Sequence, residues 1–259
     1  MKTPSYVAVL ALLAYGCDDP DVQAQPYVAD AGDEVGPAVS GSIDAGLDAS
    51  QDVALNASGD ASGDARDAAA LPYAQQVVSF RAGSNAGYGR DKFPGVVLGP
   101  PSGEGTNAGA LDVLSLGVGG EIVLDLGSRT IVDGPGPDFI VFENPFWPGG
   151  VRASVFAELG EVSVSEDLTT WQTFPCSTTP SAPGMYPGCA GWTPTLAYDP
   201  FAIVPLDPAR TGGDAFDLAT LSATRARYVR VRDLSTSGQG TSAGFDLDAV
   251  GIIHVSPAP

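Results

Sequence analysis

Gly119-Gly-Glu-Ile-Val-Leu-Asp-Leu-Gly127 and Asp133-Gly-Pro-Gly-Pro-Asp-Phe-Ile-Val-Phe-Glu-Asn144 decide how this chain is read. Ile122, Leu124, Ile140 and Phe142 are good strand formers. Gly134, Pro135, Gly136 and Pro137 between them favour a turn, so two strands flanking that turn are expected. Apolar residues fill both alternation phases of Phe139–Phe142, which predicts a strand covered on both sides in the middle of a two-sheet core. Asp125, Asp133, Asp138 and Glu143 are strung along the stretch. Carboxylates at the ends of such a strand either cap turns or hold a hard cation.

Outward from this centre the pattern stays β. Gln75–Phe80 reads as a first strand, and Val96–Leu98 is a short apolar run in a loop-rich segment. Leu111–Leu116 leads into the central stretch, and Phe156–Ser165 follows it with Val162 and Val164 inward, Ser163 and Ser165 outward. Trp171–Phe174 is expected to pair next. Leu218–Leu221 reads as a short turn, and Phe245–His254 closes the chain. Arg227–Arg232 alternates Val229 and Val231 against Arg230 and Arg232, the signature of a half-buried strand. Short strands, 33 Gly, 22 Pro and no long amphipathic helix predict an all-β, antiparallel sandwich over residues 71–259. The four arginines 225, 227, 230 and 232 are expected on a solvated strand face, balancing Glu161, Glu166 or Asp233. Trp171 and Tyr228 are expected to supply core packing.

The first seventy residues read differently. Residues 1–16 carry Lys2 and the short apolar run Val7–Ala14, a secretory signal too short to span a bilayer as a mature helix. Gly16 before Cys17 resembles the lipobox of bacterial lipoproteins, which makes Cys17 the expected lipidation site; the alternative is ordinary cleavage with Cys17 a spare thiol. Asp18 resembles an inner-membrane retention signal of enteric bacteria, although the outer membrane or cell surface is the preferred address. Residues 17–70 are rich in Asp, Ala, Gly and Ser, with Ala57-Ser-Gly-Asp60 repeated at once as Ala61-Ser-Gly-Asp64. Too little apolar surface is present there to offset ordering entropy, so a disordered tether is expected.

The net charge of −19 forms no basic patch, which excludes nucleic acid as an expected partner and limits membrane contact to the anchor. Cys176 and Cys189 remain as a pair in an exported, oxidising setting, so a disulfide is expected.

Three stretches together resemble the discoidin-like, galactose-binding jelly rolls. Glu161–Trp171 is similar to that superfamily's strand–turn–strand, with Leu168 where glycine is usual. Ala226-Arg-Tyr-Val-Arg-Val-Arg232 resembles its later strand and Gly119–Gly127 its earlier one. Val97–Pro101 and Gly244-Phe-Asp-Leu-Asp-Ala-Val-Gly251 resemble a branch of bacterial cell-surface proteins with this fold. The resemblance implies a binding module, often for carbohydrate and often with structural calcium.

Candidate chemistry divides in three. Asp246 and Asp248, two apart on a strand, are expected on one face, where with Asp138 or Glu143 they could offer Ca²⁺ several hard oxygens. Hydrogen-bonded turn carboxylates are the alternative. Trp147, Tyr186, Trp192 and Tyr198 lie in loops where an aromatic platform for sugar could form, with Asp91 and Asn144 as polar partners; loop plugs are the alternative. Catalysis is poorly provided for, since His254 is the only histidine and no nucleophile-elbow motif is present. The expectation is a monomeric, non-catalytic carbohydrate-binding module. Its competitors are a protein-binding adhesin and a two-carboxylate glycosidase.

Overall fold

Residues that alternate along the sequence also alternate in space. The computed structural model describes residues 72–196 and 206–257. The expectations for the signal, Cys17, the tether and Tyr198 lie outside those residues. The five-stranded sheet runs in the order β1 (Gln76–Arg81), β3 (Glu121–Asp125), β10 (Tyr228–Asp233), β6 (Gly160–Ser165) and β7 (Gln172–Thr173). Facing it, the four-stranded sheet runs β2 (Leu114–Ser115), β11 (Asp246–Ile252), β5 (Phe139–Glu143) and β8 (Asp214–Phe216). A small third sheet joins β12 (Val255–Pro257), β4 (Arg129–Val132) and β9 (Arg225–Ala226). Every pairing is antiparallel, and the fold is an all-β sandwich. Among the described residues, no helix is long and apolar enough to cross a membrane.

The core follows from these alternations. Ile122, Leu124, Val162, Val164, Val229 and Val231 of one sheet meet Leu114, Phe139, Val141, Leu247 and Val250 of the other, all buried. Each such side chain contributes about 1.5–3 kcal/mol by leaving water. Phe139, Phe174 and Phe216 form a ring cluster with centroids 4.9–5.8 Å apart. The opposite face of β5 is also covered, as its apolar residues require. Ile140 and Phe142 pack with Tyr73, Leu206 and Ala249.

Three sequence expectations need correction. The Gly-Pro turn does not directly join the two opening stretches, both of which form strands: β3 lies between β1 and β10, whereas β5 lies between β11 and β8. The four-residue strand β4 intervenes and leaves for the third sheet, so the Gly-Pro turn connects β4 to β5 across two sheets. Trp171 and Tyr228 are half-buried rather than core. Arg230 lies 4.4 Å from the Trp171 ring centroid and Arg227 5.2 Å from that of Tyr228, so both rings sit among charges. Asp233 does not balance an arginine; it is buried and accepts backbone N–H groups.

Two of the expected ion pairs form, and Arg227 takes an acid that was not expected. Arg225 meets Glu166 at 3.5 Å and Arg232 meets Glu161 at 2.9 Å, while Arg227 grips Asp125 with two hydrogen bonds of 3.0 and 3.1 Å. Leu168 takes the glycine-like conformation, φ +65°, in a turn whose Thr169 and Thr170 N–H groups donate to Asp167. Ser222, with φ +55°, closes the 3-10 turn Leu218–Leu221 and is exposed. A left-handed conformation costs a non-glycine residue about 1–2 kcal/mol. Glycine loses about 0.5–1 kcal/mol more chain entropy on folding. Ser222→Gly is therefore expected to stabilise by roughly 0.5–1 kcal/mol in urea denaturation.

Candidate functional site

The loops that leave the C-terminal end of β5 meet the disulfide loop. Cys176 and Cys189 are bonded, and closing that loop contributes about 3 kcal/mol in the chain-entropy model. Gly184 in this loop lies so close to the Arg152 carbonyl that a Cβ would stand 2.3 Å from it. The disulfide loop therefore packs directly on the segment carrying Arg152. Trp147 and Trp192 flank that arginine, whose guanidinium carbon is 6.0 and 5.8 Å from the two ring centroids. Phe146 and Phe156 stack at 5.3 Å, and Phe156 stays 51% exposed.

Each tryptophan is held by its backbone and its indole. The Trp147 N–H donates to the Thr106 carbonyl at 2.7 Å, and Trp192 Nε1–H donates to the Cys189 carbonyl at 3.0 Å. Trp147 Nε1 is buried and finds no protein acceptor. Tyr186, half-buried in the disulfide loop, accepts the Cys189 N–H on its carbonyl. Asn144 donates its amide to the Ala110 carbonyl at 2.9 Å. Trp147, Trp192 and Asn144 thus belong to one region. Asp91 is exposed elsewhere, lining a depression of about 300 Å³ with Tyr88, Lys92 and Thr241.

Beneath the aromatic loops lies a group of acids. The alternation that turns Phe139 and Val141 into the core also turns Glu143 inward at the end of β5. On β8 the same logic turns Asp214 inward with Phe216, since Asp214 pairs opposite Val141. The Asp246 N–H donates to Glu143 Oε1 at 3.2 Å. Asp214 Oδ2 accepts from the N–H groups of Gly191 and Trp192 at 2.7 and 3.0 Å. Glu158 accepts from the Gly244 N–H, and its own carbonyl crowds Gly191, where a Cβ would stand 2.0 Å away. Burial raises all four carboxyls: Glu143 well above the usual range, Glu158 to about 8, Asp214 to about 7 and Asp246 to about 6. After burial, the charges of Asp246, Glu158 and Asp214 push Glu143 further in the same direction.

The four acids expected to share a cation do not converge. Asp138 and Glu143 sit at opposite ends of β5, about 16 Å apart at the usual rise per residue. Asp138 is fully buried and fully engaged. It accepts the N–H groups of Gly134 and Leu218 at 2.8 and 2.7 Å and lies 2.8 Å from His254 Nδ1. Its oxygens gather with those of Asp133 and Asp217 within 4.8 Å, yet Asp217 serves as a cap for the Ala219 N–H. A turn-capping role accounts for Asp138 and Asp217.

Asp248 goes its own way as well. The register shift between Leu247 and Ala249 makes it the extra residue of a bulge, and both its oxygens accept the Ser102 N–H. Glu143 and Asp246 are the two members brought together. Sequence reading missed their companions Asp214 and Glu158, and also Arg152. The spacing of Asp214 and Phe216 carried a period-two signal, but three residues are too few to reveal a strand.

No protein-family model matches the chain, and no curated protein matches it. Among solved structures, the C-terminal domain of a chitobiase from Bacteroides fragilis is similar at 13% identity, with a TM-score of 0.29. The match covers 54% of this chain and 65% of that one, so the chain spans under two thirds of that domain's length.

Proposed function

We propose that this protein is a non-catalytic binding module for carbohydrate, held outside the cytoplasm, at the cell surface, by lipid on Cys17. The observation that carries the reading is the pair of indoles, Trp147 and Trp192, set about the exposed Arg152 at one end of the sandwich. Sugar rings present C–H faces that stack on aromatic planes, and hydroxyls that need fixed donors and acceptors. Arg152 supplies donors, while Phe156 and Val151 supply exposed apolar area. The resemblance of Glu161–Trp171 and Ala226–Arg232 to discoidin-like folds supports the same class.

A glycosidase built on Asp138 and Glu143 is disfavoured, because their separation of about 16 Å exceeds the roughly 5–9.5 Å that such carboxyl pairs need. A protein-binding reading has one supporting feature. Val78, Phe80, Phe93 and Leu98 line an open groove of about 650 Å³ beside the edge strand β1, where an extended peptide could pair.

Glycan arrays followed by affinity electrophoresis separate these readings. Wild-type protein is expected to retain a defined glycan class, with Trp147→Ala and Trp192→Ala weakening it at least about tenfold while the fold persists. Absence of any glycan signal, or variants that bind like wild type, would overturn the carbohydrate reading.

A further inference from the structure

We propose that the glycan held at Trp147 and Trp192 is an acidic one, its carboxylate or sulfate paired with Arg152. This rests on the carbohydrate reading and narrows it to a ligand class. An exposed arginine alone would be weak grounds, because Arg81, Arg90, Arg210 and Arg230 also belong to none of the ion pairs among the described residues. Arg152 differs in where it stands. Among the described residues it is the one arginine set against two indoles, 6.0 Å from the Trp147 centroid and 5.8 Å from that of Trp192, with no carboxylate in an ion pair with it.

The backbone that carries Arg152 is held from several sides. Residues 147–155 leave and return at one point, where the Phe156 N–H donates to the Phe146 carbonyl at 2.9 Å and the two rings stack. Inside this excursion two short turns close. The Gly150 N–H donates to the Trp147 carbonyl at 2.8 Å, and the Val155 N–H to the Arg152 carbonyl at 3.1 Å. Gly149 and Gly150, with φ +64° and +74°, permit the first of these turns. The disulfide loop abuts the Arg152 carbonyl through Gly184, and the Trp147 N–H is anchored on the Thr106 carbonyl. A guanidinium on so fixed a base loses less freedom when it binds, which preserves affinity.

The donor selects the ligand. Contact with an indole occupies the face of a guanidinium and leaves its N–H edge for an acceptor. That edge is a fork matched to two oxygens of one carboxylate or sulfate, and charge-assisted pairs are about twice as strong as neutral ones. A sugar hydroxyl brings one oxygen and no charge. Burial keeps protons on Glu143 and Glu158 near neutral pH, and Asp214 is engaged by the Gly191 and Trp192 N–H groups, so these three acids oppose an anion only weakly. The net charge of −19 repels polyanions in general, so a preference for an acidic glycan requires a local cation.

Two pairs of probes test this by calorimetric titration of the full chain. Oligogalacturonate and its methyl ester differ in the carboxylate; sulfated and unsulfated dextran oligosaccharides differ in the sulfate. In at least one pair the charged member should bind about tenfold or more tighter than its uncharged counterpart, and the pair that shows it identifies the anion. Arg152→Gln should remove that preference with the melting temperature unchanged, since the side chain is exposed. Arg152→Lys should restore part of it, keeping the charge but not the fork. Arg230→Gln, on the five-stranded sheet, should bind like wild type. Lack of preference in both pairs, or a preference that survives Arg152→Gln, would overturn the acidic class while neutral glycans retained on the array keep the carbohydrate reading standing. Silence from these probes and from the whole array would overturn both.

Discussion

Replacing Asp233 by alanine is expected to cost about 3–5 kcal/mol, a large share of the 5–15 kcal/mol typical of a folded domain. Asp233 ends β10 in one sheet and is only 4% exposed. Its Oδ1 accepts the Phe245 N–H at 2.8 Å and the Ser235 hydroxyl at 2.9 Å; its Oδ2 accepts the N–H groups of Gly119 and Ser235 at 2.8 and 3.0 Å. Phe245 leads into β11 of the opposite sheet, and Gly119 precedes β3, so one carboxylate ties three chain segments across the sandwich. Gly244 belongs to the same knot: with φ +76°, its position would put a Cβ 2.8 Å from the Asp233 carboxyl carbon. Truncation leaves three N–H groups and a hydroxyl without their acceptor. The Phe245 N–H is buried and can find no replacement, while Gly119 and Ser235 can turn to water. Asp233→Asn keeps the shape and one acceptor oxygen, so it should lose roughly half as much. Urea midpoints at constant slope measure both, and an alanine variant within 1 kcal/mol of wild type would remove Asp233 as the tie between the sheets.

What was legible in the sequence depended on the range of the forces involved. Val229 and Val231 announced β10 because one face of a strand is buried and the other is not, a local consequence of period two. The double-phase run of β5 announced cover on both sides for the same reason. The cysteine pair needed only a composition argument. Pairing was not legible: β3 sits beside β1 and β10 through hydrogen bonds that depend on chain segments far away, and nothing in Ile122 or Leu124 names the partner. Strand β4 was missed because Arg129 and Thr130, polar by type, are buried there. The acids were half legible. The distance from Asp138 to Glu143 follows from strand rise alone and could have excluded their convergence at once. That Asp214 would join Glu143 required knowing that β8 lies beside β5. Aromatic loop residues were singled out by type, but the arginine between the two indoles emerges only when the disulfide loop packs on it.

In chelator, the domain should lose stability as pH rises from about 5 to 8, the reverse of ordinary acid denaturation. Glu158 and Asp248 are raised to about 8, Asp214 to about 7 and Asp246 to about 6, in each case first by burial, and Glu143 moves strongly the same way. In the unfolded chain these carboxyls titrate near 4. Below that value both states hold the protons and the contribution is complete. Between about 4 and the folded values the native state binds more protons than the unfolded state, so raising the pH favours unfolding. Above about 8 the loss is finished and the curve flattens. One net proton corresponds to about 1.4 kcal/mol per pH unit, so a fall of at least that slope is expected between pH 5 and 6. Asp167 acts oppositely, since the Thr170 and Thr169 N–H groups lower its carboxyl, but its titration lies below this window. Urea midpoints collected at pH 5, 6, 7 and 8 give the slope directly. Double replacement by Asp214→Asn and Asp248→Asn should make it shallower, with Glu143, Glu158 and Asp246 still contributing, and raise the midpoint at pH 8, because neutral amides carry no charge to desolvate. A stability curve that climbs from pH 5 to 8 in chelator would mean that these buried carboxyls are ionised without penalty, contrary to the burial that surrounds them.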